Sequence, residues 1–408
     1  MDIIFSAPLV ILTALFNSKM PPIPEGYNYD FLNAGAIAGV LSVKDGRIAT
    51  ESGMSYRLLV LDESTGYMTL PVLKKIDDLI RAGAVIVGPE PVNTPSLNDD
   101  EAEFMKLAER LWEKGKGIKE TGKGKVYNGF SLEDVLNDLD VEPDFAYSEN
   151  NPGTKMDFVH RSLGDRDIYW VNTSDKEISR VKVSFRISGK EPEIWDPVNG
   201  SISPASYTIN NRVTEVTLNL DPEDALFVVF RKPADKNSVT LPEVAESELA
   251  TINGEWEVYF QPDRGAPEKV TFNQLTPWNE NENPGIKYFS GTTEYVKIID
   301  ISEDWISENS KLWLDLGGVK NLAEVSVNGE SLGIVWKKPF RVCFGNSLKP
   351  GENRLSVKVT NLWVNRLIGD QQPGNTNPIT YTTQAFYRAD SPLLPSGLLG
   401  PVRIVVRE

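Results

Sequence analysis

The chain has 408 residues, 40% of them hydrophobic and 25% charged, a composition that reads as globular and a length too great for one hydrophobic core. Its 42 Lys and Arg against 58 Asp and Glu leave a formal charge of −16, which argues against nucleic acid or an anionic membrane as a partner. One cysteine, Cys343, excludes an intramolecular disulfide, and one histidine, His160, excludes any zinc site that needs two.

The first 20 residues form an apolar N-terminal segment. Its stretch Ile3–Phe16 is short for a bilayer span, and no Lys or Arg precedes Lys19, so it is a weak secretory signal. We read it as a buried segment or as a remnant of a junction with a preceding domain.

Residues 21–145 alternate strand and helix, which predicts a small doubly wound α/β domain. Tyr56–Asp62 and Ala84–Gly88 are near-continuous apolar runs, as in buried parallel strands. Between them, Thr69 and Pro71 open a helix with Leu73, Ile76, Leu79 and Ile80 on one face, and Gly83 ends it. A second helix is expected over Leu97–Trp112, with Asp99, Asp100 and Glu101 near its positive end. Lys125–Asn128 gives a short strand, and Ser131 caps a last helix that buries Leu132, Val135, Leu136 and Leu139. The run Gly117–Gly124 nearly fits a phosphate-binding loop. It carries Gly124 where a magnesium-binding Ser or Thr is required, and it leads from helix to strand, the reverse of the required order, so it reads as a basic flexible loop.

Residues 146–235 alternate in steps of two and predict a small β-sandwich, and 236–250 is a polar linker. Residues 251–408 hold a further set of strands. Alternation in Leu312/Leu314/Leu316, Val325/Val327 and Leu355/Val357/Val359 marks half-buried strands, and Asn328–Gly329 suits a tight hairpin turn.

The run Val325-x-Val-Asn-Gly-x-x-Leu-Gly-x-x-Trp336-x-x-Pro-Phe340 and the later Gly351-x-Asn-x-Leu-x-Val-x-Val-x-Asn361 resemble the sugar-binding, galactose-binding-like jelly roll of the beta-galactosidase superfamily. Asn361–Asp370 and Pro395–Pro401, with Phe158-Val-His-Arg161, Asp167–Asn172 and Trp195–Gly200, narrow the resemblance to glycoside hydrolase family 106, the alpha-L-rhamnosidases. It covers most of the chain from about Pro24 onward. The α/β region is similar to the glutamine-amidotransferase-like domain that follows the catalytic barrel in several glycosidase families, though no nucleophilic cysteine stands there.

The resemblance implies a (β/α)8-type barrel that carries the catalytic carboxylates. No run of eight strand–helix units is legible here, and no position of the chain matches those carboxylates, so no catalytic residue is assigned. The expected function is the non-catalytic C-terminal portion of an alpha-L-rhamnosidase-like hydrolase, supporting a barrel and contributing to binding of a rhamnose-containing plant or bacterial glycan. The alternatives are a stand-alone carbohydrate-binding or assembly protein, and a self-sufficient hydrolase with an unrecognised carboxylate pair. Whether the chain by itself is an enzyme is left open. No cofactor and no metal are expected, since neither Asp165-Arg-Asp167 nor Asn98–Glu101 has the spacing of a calcium loop. A periplasmic or extracellular location is implied by the family.

Candidate carbohydrate-binding residues are His160, Arg161, Trp278, Trp336, Trp363, Asn365, Arg366, Asp370 and Tyr387. Tryptophan and tyrosine rings stack on the apolar faces of sugars, while Arg, Asp and Asn hold hydroxyls. Each has a structural alternative. His160 and Arg161 could be a hydrogen-bonded pair at a domain junction, the aromatic residues could be core, and the loop Gly369–Asp390 could be a lid packed on a neighbour.

Overall fold

The computed structural model describes residues 2–6, 22–61, 66–148, 154–242, 245–306 and 311–407. The chain divides into two compact units, residues 1–241 and 242–408. It is mixed α/β in its first part and mostly β, with a few short helices, after that.

The first unit opens with a six-stranded sheet in the order Tyr29–Leu32, Ile3–Ser6, Leu58–Leu61, Val85–Val87, Gly124–Asn128, Gly117–Thr121. The first five strands are parallel and the last is antiparallel. All four residues of Leu58–Leu61 are buried, as their unbroken apolar run requires. Alternate residues face opposite ways. Ile4, Leu59, Leu61, Ile86 and Val126 join the core under the helices Ala34–Val40, Leu70–Ala82 and Glu101–Leu111. Ile3, Leu58, Val60, Val87 and Tyr127 pack with the helix Leu132–Asp138 in a second core.

Residues 3–6 were expected in a segment apart from this domain. They form an internal strand of the sheet, paired with Tyr29–Leu32 on one side and Leu58–Leu61 on the other. Four residues at the head of a longer apolar run do not stand out as a strand. The remainder of that run and Asp62 lie outside the described residues.

The helix Leu70–Ala82 buries the expected stripe, and the Gly83 N–H closes it on the carbonyls of Leu79 and Ile80 at φ +123°. The second helix begins at Glu101, later than its periodicity suggests. Asp100 takes the Glu103 N–H as N-cap, and Asp99 is drawn away to the Leu70 N–H and the Thr94 hydroxyl. Ser131 accepts from the Asp134 N–H at 3.1 Å, as a capping serine should.

The run Gly117–Gly124 is a β-hairpin and not a flexible loop, with strand Gly117–Thr121 paired to Gly124–Asn128. Its glycines are there for close packing. A Cβ on Gly124 would stand 2.3 Å from the carbonyl oxygens of both Ile80 and Ala84. We expect Gly124→Ala to lower stability by roughly 1–3 kcal/mol through overpacking, read as a lower urea midpoint at unchanged m-value. An unchanged midpoint would mean that the hairpin and the helix end can move apart freely.

The first unit continues as a sandwich of two five-stranded sheets. One runs Phe145–Tyr147, Ser179–Phe185, Val213–Leu220, Tyr207–Asn210, Ser238–Val239, and the other Met156–Leu163, Arg166–Thr173, Ala225–Pro233, Lys190–Trp195, Ile202–Pro204. Val181, Val183 and Phe185 of one sheet meet Tyr169, Val171, Val228 and Phe230 of the other in a single core.

In the second unit a four-stranded sheet (Glu246–Thr251, Arg403–Arg407, Lys311–Asp315, Arg341–Cys343) and a six-stranded sheet (Lys269–Phe272, Trp256–Phe260, Thr292–Ile301, Gly351–Thr360, Leu322–Val327, Glu330–Val335) enclose one core. The pair Gly318–Lys320 and Gly397–Gly400 forms a separate small sheet. Asn328 and Gly329 both have positive φ in the turn between Leu322–Val327 and Glu330–Val335, the geometry a tight hairpin needs. The polar stretch 236–250, expected as a linker, contributes strands at both ends: Ser238–Val239 pairs with the sandwich and Glu246–Thr251 with the last strand of the second unit. Both are edge strands, the first only two residues long and the second exposed and acidic at its start, so they carry little apolar alternation.

Candidate functional site

In the second unit, the strand Gly351–Thr360 leads into a short helix, Val364–Asp370. Two side chains, Asn361 and Ser290, pin the turn between them. The Asn361 amide donates to the Phe289 carbonyl and its oxygen accepts from the Gly291 N–H, both at 2.9 Å. The Ser290 hydroxyl donates to the Leu362 carbonyl and accepts from the Arg366 N–H.

The helix in turn holds the long loop that follows. Asn365 bonds both the carbonyl and the N–H of Leu394 and the Ser396 hydroxyl. Asp370 accepts from the backbone of Ile379 and Thr380 and from the Thr380 hydroxyl, at 2.6–3.1 Å. Its other oxygen pairs with Arg366 at 2.9 Å, and both side chains are buried. Burial opposes ionisation of Asp370, but the hydrogen bonds from Thr380 and Ile379 and the Arg366 charge outweigh it and hold its carboxyl below the usual range. Gln372 reaches the Ala389 carbonyl.

So fixed, the loop borders an open cavity of about 260 Å³ whose lining includes Leu367, Gln371, Tyr381, Gln384, Phe386 and Tyr387, with Asp370 at its wall. Tyr381 and Phe386 are 89% and 78% exposed, unusual for rings of that size. A second cavity, of about 130 Å³, is lined by Lys320, Asn321, Asn361, Asn365 and Ser396 among others. Rings beside amides and hydroxyls can stack on a pyranose and bond its hydroxyls.

The expected site residues are sorted by this geometry. Tyr387 and Asp370 line the larger cavity and Asn365 the smaller. Trp363 lies just before the helix, half exposed, with the Arg264 guanidinium 4.9 Å from its ring centroid. Trp336 is 61% exposed and lines neither of these two cavities. Three expectations need correction. Trp278 is wholly buried and donates its indole N–H to the Tyr295 hydroxyl at 2.6 Å, so no ligand reaches it. Arg366 is buried against Asp370, and the groups of Asn365 are taken up by Leu394 and Ser396; both order the loop and neither reaches out to a sugar. Phe386 was missed, since a ring in a loop carries no sign of its exposure.

His160 and Arg161 belong to the first unit, on the strand Met156–Leu163. His160 lies between two carboxylates, with Nδ1 2.8 Å from Asp144 and Nε2 3.2 Å from Asp167, and stacks on Tyr169 at 4.0 Å between centroids. Asp144 also accepts from Asn28 and from the Tyr169 hydroxyl, and Arg186 links it to Asp2 beside the α/β sheet. Burial disfavours the imidazolium, but the bonds to Asp144 and Asp167 prevail and raise its pKa. Burial likewise opposes ionisation of Asp167, yet His160 and Lys190 hold it at about 2. This is a locked ion cluster between the α/β layer and the sandwich, the structural alternative weighed for His160. Arg161 is exposed and lines a separate groove of about 820 Å³ with Lys155, Phe158 and Tyr147.

Among the described residues no group of three or more His, Cys, Asp or Glu side chains is placed to hold a metal, and no helix is long and apolar enough to cross a membrane.

The chain is similar to known proteins. The family model Glyco_hydro_106, alpha-L-rhamnosidase, matches residues 7–209. A rhamnosidase structure from Novosphingobium sp. PP1Y matches 99% of this chain and 39% of its own length, at 39% identity and a TM-score of 0.88. A Formosa agariphila protein, named provisionally as a beta-glucuronidase, is 26% identical over 636 residues, 95% of this chain and 54% of that protein. The chain thus spans about half the length of this curated relative and about two fifths of that rhamnosidase. These matches show a resemblance to glycoside hydrolases, alpha-L-rhamnosidases among them.

Proposed function

We propose that this chain is the non-catalytic, glycan-contacting portion of an alpha-L-rhamnosidase-like glycoside hydrolase. The observation that carries the reading is the match to the Novosphingobium rhamnosidase along 99% of this chain but only 39% of that one. The second unit is then a galactose-binding-like jelly roll, and the first a glutamine-amidotransferase-like α/β domain followed by a β-sandwich. The remaining length of such an enzyme is where a catalytic barrel and its carboxylates belong.

The chemistry of the two units favours a supporting role. A glycosidase needs one carboxyl group that keeps its proton until the leaving group takes it, and a second carboxylate across the scissile bond. Asp144 and Asp167 stand on either side of His160 but are both held in the ionised form, so neither has a proton to give at neutral pH. Asp370 is ionised too and its oxygens are taken up by the loop and Arg366. The rings and amides of the larger cavity suit binding of a rhamnose-containing glycan. The work so assigned is done outside the cytoplasm, where such polymers are met.

The test is to incubate the purified chain with 4-nitrophenyl alpha-L-rhamnoside and with a rhamnose-containing oligosaccharide. No released nitrophenol or rhamnose is expected. Turnover that a single carboxylate substitution abolishes would overturn the assignment and establish a self-sufficient hydrolase.

A further inference from the structure

We infer that the smaller cavity, beside Lys320, is a subsite for a negatively charged sugar unit, a uronic acid or a similarly acidic residue. The inference deepens the proposed glycan-binding role and rests on it for the saccharide nature of the ligand.

The cavity is lined by Lys320, Asn321, Asn361, Asn365 and Ser396, with Leu362 and Leu394 as apolar walls. Its frame is rigid. Asn361 is fixed to Phe289 and Gly291, and Asn365 to Leu394 and Ser396. Two lining side chains are left over from that frame. Among the described residues no ion pair engages Lys320 and no hydrogen bond engages the side chain of Asn321. Among the described residues Lys320 is also the only charged one in the lining, in a chain whose formal charge is −16.

The choice of ligand follows from what closing the cavity costs. A neutral sugar seated over an ammonium group strips water from it and offers no charge in return. A carboxylate on the sugar supplies a charge-assisted bond to Lys320, and the Asn321 amide can bond the same group or a neighbouring hydroxyl. The larger cavity differs in kind. Among the described residues its lining has no cation and one carboxylate, Asp370, which is engaged within the protein. The two cavities share the short helix, with Asn365 in the lining of one and Leu367 and Asp370 in that of the other. One face of this unit thus offers a neutral, ring-lined subsite and a cationic one.

The experiment is calorimetric titration of the whole chain with trigalacturonate, with its methyl-esterified form, and with a neutral rhamnose-containing oligosaccharide. Each is repeated on Lys320→Met and Tyr381→Ala, after thermal unfolding has shown both variants folded. The acid form is expected to bind the parent chain roughly tenfold or more tightly than its ester, the range of a hydrogen bond to a charged group. Lys320→Met should erase that preference and leave the neutral ligand unchanged, and added salt should weaken only the acid form. Equal affinity for acid and ester, or a preference that survives in Lys320→Met, overturns the subsite. If the neutral ligand still binds through Tyr381 in that case, the broader glycan-binding role stands. An acid preference that depends on Lys320, without any binding of the rhamnosyl ligand, sustains the subsite and removes the rhamnose reading. Absence of binding to all three overturns both.

Discussion

Asp144→Ala is expected to destabilise the first unit by about 3–5 kcal/mol, the cost of removing one partner from a buried charge cluster. Asp144 is 2% exposed and serves four groups at once: His160, the Tyr169 hydroxyl, the Asn28 amide and Arg186. Without it the imidazolium and the guanidinium keep Asp167 and Asp2 but lose the residue that joins the sandwich to the chain arriving from the α/β sheet. The same cluster sets a pH window. His160 has its folded pKa raised, so its contribution is complete below its unfolded value near 6.5 and is lost as pH rises through the folded value. Asp144 and Asp167 have theirs lowered, so their contribution is complete above about 4 and is lost as pH falls, toward about 2 for Asp167. Thermal unfolding of the chain between pH 3 and 9 should therefore show a maximum between about pH 4 and 6.5. His160→Gln should flatten the alkaline side, this being the only histidine in the chain. An Asp144→Ala protein as stable as the parent would show that the cluster is held together by packing alone.

The second large effect is in the second unit, where Tyr295→Phe removes a single oxygen. That oxygen accepts the Trp278 indole N–H at 2.6 Å and the Leu398 backbone N–H at 3.2 Å, and the tyrosine is wholly buried. Two buried donors are stranded together, each worth roughly 1–3 kcal/mol when unsatisfied. We expect a loss of about 2–5 kcal/mol, seen as a lower urea midpoint, with the Trp278 environment altered in near-ultraviolet circular dichroism. The ring contacts of Trp278 with Phe260 and Phe289 survive the substitution, so the loss isolates the polar term. No change in midpoint would mean that the two donors find other acceptors, and the role given to Tyr295 would fail.

These two residues also mark where sequence reading succeeds and where it stops. Periodicity exposed the stripe Leu73, Ile76, Leu79 and Ile80 and the alternation in Leu355, Val357 and Val359, because burial repeats with the geometry of helix and strand. Residues 3–6 and 246–251 escaped, the first hidden in a longer apolar run, the second an exposed edge with no buried face to alternate. The candidate site was legible as a region. The stretch from Trp363 to Tyr387 was singled out, and both cavities adjoin it. The roles inside it were not, because residue type does not tell direction. Trp278 and Trp363 are the same residue, yet one closes a core and the other is half exposed. Arg366 and Asp370 have the chemistry to grip hydroxyls, but four residues apart on a helix they grip each other. Lys320 was overlooked because a lone lysine in a strand gives no sign that, among the described residues, no ion pair engages it.

The most direct test of the whole account is a titration of the purified chain with a rhamnose-containing oligosaccharide, for the parent and for the double variant Tyr381→Ala, Phe386→Ala. Both rings are exposed, so their removal should leave the unfolding midpoint in place. The account predicts saturable binding by the parent and a loss of roughly tenfold or more in the variant, as expected for losing two stacking rings. Undiminished binding by the variant, or no binding by a folded parent chain, would contradict it.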